Sequence, residues 1–74
     1  MNLDALDIEE HGRICLDQME QALLYRRPGA VREALENAAA FLLIAREQLP
    51  AGTHEPGIVT QVAARIRTLK YAAA

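Results

Sequence analysis

"AAAFLLIA", residues 38–45, is eight apolar residues with no polar break. The sequence around it keeps one polar and one apolar side at helical spacing. Val31, Leu35, Ala38, Leu42, Ala45 and Leu49 form a near-heptad seam, with Arg32, Glu33, Glu36, Glu47 and Gln48 on the opposite side. Leu43 and Ile44 fall among the polar positions, and Phe41 lies at the seam's edge. This stretch of helix is therefore apolar all the way round. One explanation is a central helix wedged between two others. The other is a surface covered by a second chain, and it is favoured because exposed apolar patches of several hundred Å2 are uncommon in monomers. Phe41, Leu43 and Ile44 are thus the candidate protein-interface residues.

Working outward, Pro-Gly dipeptides punctuate the chain at "RRPGAV" (26–31) and "HEPGIV" (54–59). Proline suits a first helical turn, where its missing N–H has no partner in any case. The residue before proline is biased away from the α conformation, which makes Arg27 and Glu55 boundary residues. Both dipeptides read as the same helix-start signal. The second helix is expected at about 28–49, about 22 residues or roughly 33 Å long.

The first helix is expected at about 3–25, capped by Asn2 or by Asp7 with Glu10 three residues on. Ala5, Ile8, Cys15, Leu16, Met19, Ala22 and Leu23 share its broad face. Gly12 falls on the same face, where it costs roughly 1 kcal/mol against alanine, so a close approach by another helix is expected there. A smaller stripe, Leu3, Leu6, Ile14, Leu24 and Tyr25, lies apart. The connection "PAGTHEPG" precedes a third helix at about 56–72, with the stripe Ile58, Val62, Ile66 and Leu69, joined by Val59 and Ala73. The expected fold is all-α: a long helical hairpin plus a C-terminal helix, close to a three-helix bundle, in one domain spanning 1–74.

Composition agrees. With 51% apolar and 24% charged residues the chain is ordinary globular material. Below roughly 70–80 residues a lone core supplies only about 3–5 kcal/mol, and small proteins compensate with disulfides, metals, regular packing or association. One cysteine excludes an internal disulfide. Regular packing and association remain, and a dimer or higher state at micromolar concentration, or an obligate larger protein partner, is expected. The longest apolar run falls far short of the roughly twenty residues of a membrane span. The acidic opening "MNLDALDIEE" lacks a secretory pattern, so a cytoplasmic location is expected.

Chemistry-bearing residues are sparse. Asp7, His11 and Cys15 stand at i, i+4 and i+8, yet a zinc site wants three or four ligands from converging elements, and the other histidine, His54, is in a loop. Cys15 sits in an acidic helix, which opposes thiolate formation. No Gly-rich phosphate loop occurs. Neither an enzymatic role nor a metal, cofactor or small-molecule substrate is expected. Residues 1–20 sum to −5 and residues 21–74 to +3.

Arg65, Arg67 and Lys70 on the third helix raise the alternative of a small DNA-binding regulator. The turn before that helix is longer than the 3–4 residues of a helix-turn-helix, however, and base-reading side chains are scarce. The size, hairpin and Ala/Leu-rich seam resemble, in outline only, those of small helical co-chaperones of secretion systems and small phage-encoded inhibitors. The function expected is protein–protein interaction, as a small adaptor, chaperone or inhibitor acting through an apolar helix face.

Overall fold

Good helix formers fill the segments between the Pro/Gly breaks, and each segment becomes a helix. The computed structural model describes residues 5–73, with side chains from Asp7 to Ala72. It contains α1 (Ala5–Tyr25), α2 (Ala30–Gln48) and α3 (Gly57–Ala73). Each helix packs against both others, so the bundle is triangular. The 37 Å long axis is close to the roughly 31 Å expected of the 21-residue α1. No helix among the described residues is long and apolar enough to cross a membrane.

The two Pro-Gly dipeptides act differently. At the first, Ala30 N–H donates to Arg27 O at 3.0 Å, and Gly29 has φ 78° and ψ −8°. These are the marks of a type II turn with proline second and glycine third. A left-handed residue cannot sit inside a helix, so α2 begins at Ala30 and not at Pro28. The second dipeptide does open a helix, because Val59 N–H donates to Pro56 O at 3.0 Å and Gly57 is already helical. The other left-handed glycine is Gly52, φ 81°, in a turn closed by Thr53 N–H donating to Pro50 O.

Asp7 lies inside the first turn of α1, so it is not the residue at which the helix begins. The Asn2 cap and the side chains of Leu3, Ala5, Leu6 and Ala73 lie outside the described residues. The expected inner face of α1 is otherwise the observed one: Ile8, Gly12, Cys15, Met19 and Ala22 are buried, with Leu16 and Leu23 packed at the edges. On α3, Ile58, Val59, Val62 and Leu69 are buried and Ile66 partly so.

On α2 the line of burial is displaced from the expected seam. Ala34, Ala38, Phe41 and Ala45 form the innermost row, and Val31, Leu35 and Leu42 flank it. Three alanines bring α2 close to its neighbours. Phe41 is the one large inward residue, and its ring reaches the notch left by Gly12. A Cβ at Gly12 would lie 3.2 Å from Phe41 Cζ and would run into Ile58 Cγ1. All three helices meet at that glycine. No polar or charged side chain is buried among the described residues.

Candidate interaction surface

In the run 38–45, Ala38, Phe41 and Ala45 face the core, while Leu42 and Ile44 lie at its two edges. Ala39, Ala40 and Leu43 face outward, and Leu43 is 63% exposed. Of the three candidate interface residues, Phe41 is therefore a core residue, only 6% exposed. Leu43 and Ile44 are accessible, on different flanks of α2. Helix α2 is apolar all round because two neighbours cover two of its sides, and a third apolar strip remains uncovered.

Two grooves border that strip. On the α1 side, a cleft of about 340 Å3 is walled by Ile14, Ala40 and Ile44 over a floor of Cys15 and Phe41. Asn37 Nδ2 donates to Gln18 Oε1 at 3.3 Å across it. On the α3 side, Leu43, Ala39, Leu42 and Ile66 line a wider one of about 530 Å3, edged by Arg46, Glu47 and Lys70. Ile14, 54% exposed, lines the first groove together with Ile44. It was visible in the sequence as part of the lesser stripe of the first helix, with nothing to say that it would join Ile44.

The charges around the strip are mixed. Residues three and four apart are neighbours on a helix surface. Glu10, Ile14 and Asp17 thus form one ridge of α1, and Glu36, Ala40, Leu43 and Glu47 one ridge of α2. Each reads acid, apolar, acid. Basic side chains lie there too: Arg46, paired with Glu55 at 2.7 Å, and Lys70 line the α3-side groove, His11 lines the α1-side cleft, Arg32 pairs with Glu36 at 3.2 Å, and Arg13 pairs with Glu9 at 3.1 Å. Among the described residues Glu10, Asp17 and Glu47 have no ion-pair partner.

Other candidate groups are not assembled into a site. Among the described residues no three His, Cys, Asp or Glu side chains are gathered to hold a metal. Cys15 is buried, and desolvation pushes its thiol above the usual value, which keeps it protonated and unreactive at neutral pH. Arg65, Arg67 and Lys70 are all exposed but do not share a face. At about 100° per residue, Arg65 and Arg67 point roughly 160° apart, and Lys70 turns toward the α2–α3 groove. Comparison of the chain with family models, with curated proteins and with solved structures gave no match.

Proposed function

We propose that the protein is a non-enzymatic interaction module: a small adaptor, chaperone or inhibitor that receives another helix on the outer face of α2. The observation that carries this reading is Leu43. It is 63% exposed and stands beside Ala39 and Ala40, whose small side chains let a second helix approach closely. The partly exposed walls of two apolar grooves, Ile14 and Ile44 on one side and Leu42 and Ile66 on the other, extend the surface. Docking an amphipathic helix there buries apolar side chains spaced by three and four residues, the usual mode of helix-in-groove recognition. The scattered directions of Arg65, Arg67 and Lys70 give the DNA-binding alternative less support.

The test compares two purified baits, the parent and Leu43→Glu, against an extract of the native source. The variant should keep its helical circular dichroism, because the substituted side chain is mostly in water. It should lose at least one protein that the parent retains. Identical retained sets from two folded baits, together with identical sedimentation, would overturn the reading.

A further inference from the structure

We infer that the corner where α1 ends, α2 begins and α3 ends is a binding site for a small amphiphilic anion: a short apolar body carrying a carboxylate or phosphate head. A groove of about 630 Å3 opens there, within the roughly 300–1,000 Å3 of small-ligand pockets. Half of its lining is apolar, from Leu23, Val31, Leu35 and Ala72. The rest, apart from Gly29, is three exposed arginines, Arg26, Arg27 and Arg32, and no Asp or Glu among the described residues lines it. Arg26 and Arg27 have no ion-pair partner among the described residues. Arg32 is paired with Glu36 at 3.2 Å, an exposed contact that is worth little and yields to a bidentate anion. Glu33 lies in the adjoining cleft that Arg27 also borders. Apolar surface beside guanidinium groups of one sign selects a ligand that carries both hydrocarbon and an oxyanion.

Arg26 stands where stability alone favours another residue. Its N–H donates to Ala22 O at 3.1 Å and its φ is 45°, the single bond and left-handed residue that end many helices. Glycine usually fills that place, because a Cβ is disfavoured in the left-handed conformation. An arginine there gives up stability and sets a guanidinium at the groove. The occupant is small, not a second helix. Along α2 the apolar lining runs only from Val31 to Leu35, about 6 Å, whereas helix-in-groove recognition uses anchors from i to i+7, about 10 Å. Leu35 is about 12 Å along α2 from Leu43, so the site stands apart from the outer face of that helix.

The experiment titrates isotope-labelled protein with octanoate, octyl phosphate, octanol and acetate, read by amide NMR shifts. Octanoate and octyl phosphate should saturate and move the amides of residues 23–35 and those near Ala72. Both should bind about tenfold tighter than octanol, the scale of two or three exposed charge pairs. Acetate, which lacks the apolar body, should bind weakest. Arg26→Gly should weaken octanoate about threefold and yet raise the melting temperature, two opposite changes that a structural role alone does not give. Arg27→Gln should weaken octanoate similarly. Arg13→Gln, the same loss of charge about 15 Å from Leu23 along α1, should not. Octanol binding as tightly as octanoate would overturn the anionic head, and acetate binding as tightly would overturn the apolar body. Shifts confined to other surfaces, or no saturation by either anion, would overturn the site. Tighter binding at these amides by a peptide with two leucines one turn apart and an adjacent glutamate would overturn the small ligand in favour of a protein partner.

Discussion

Gly12 shows how one side chain's absence sets the geometry of the whole bundle. A helix interior normally disfavours glycine by about 1 kcal/mol relative to alanine. Here Ile58 of α3 and Phe41 of α2 occupy the space that a Cβ would take. Ile58 is itself buried, so the added methyl cannot be accommodated by a swing into solvent. Overpacking of this kind costs about 1–3 kcal/mol and outweighs the gain in helix propensity. Gly12→Ala should therefore lower stability by about 1–2 kcal/mol, a fall in melting temperature of roughly 5–10 °C for a chain this size. Combined with Ile58→Ala, it should cost less than it does alone, because the two positions share one volume. Additive losses in thermal denaturation would show that the contact does not limit packing. Cys15 lies one turn further along the same face, and its raised pKa has the same origin, close apolar surroundings.

At the scale of the elements, the eight-residue connection from Leu49 to Pro56 is tied down by Glu55. Arg46 Nε, near the end of α2, donates to Glu55 Oε1 at 2.7 Å, and Thr60 Oγ1, in the first turns of α3, donates to Oε2 at 3.0 Å. The Arg46 hydrogen bond first, and then that of Thr60, hold the carboxyl below its ordinary value of 4.5. A carboxylate depressed on folding contributes stability above its unfolded pKa and loses it as the pH falls through the folded one. Glu55→Gln should lower the melting temperature at pH 7, and the gap to the parent should close only below about pH 4.5. A gap that is constant from pH 7 to pH 3 would mean that packing, and not charge, sets the effect. Much at this scale was legible beforehand. The single-sided stripes of α1 and α3 are periodic, and Gly12 among large apolar residues announced a close approach. The inner row of α2 was not legible. Hydrophobicity draws the eye to Leu35, Leu42 and Leu49, yet a helix between two neighbours puts its small residues at the centre and its leucines at the flanks. The first Pro-Gly was misleading for a local reason: glycine's left-handed φ makes a turn there, whereas Gly57 is helical. The exposure of Leu43 follows from its place on the helical wheel. That Ile14 and Ile44 line one groove depends on how α1 and α2 are rotated about their axes, which spacing within one helix does not encode.

For the whole molecule, the α2 ridge Glu36–Ala40–Leu43–Glu47 and the small core pull in opposite directions. A bundle of this size with an apolar strip along α2 gains by covering it, which is why a homodimer is the simplest expectation from the sequence. The carboxylates at both ends of the strip oppose that outcome where a second α2 pairs antiparallel about the midpoint of Ala40 and Leu43, which sets Glu36 against Glu47 twice, or parallel and in register. If charge decides, the parent protein remains monomeric at about 100 µM near neutral pH and about 50 mM salt, conditions under which surface charges are weakly screened. Glu36→Lys then reverses the sign of one end of the ridge. In the antiparallel pairing the new cation faces Glu47 of the mate at both ends, so two repulsions become two attractions without any change in the apolar contact. Arg32 loses its partner, an exposed pair worth at most a few tenths of a kcal/mol, so the fold is retained. The variant should sediment as a concentration-dependent dimer, and adding Leu43→Glu should return it to monomer. A parent that dimerises through Leu43 would show that burial of the strip outweighs its charged ends. A Glu36→Lys variant that stays monomeric at every concentration would show that the ends do not govern self-association.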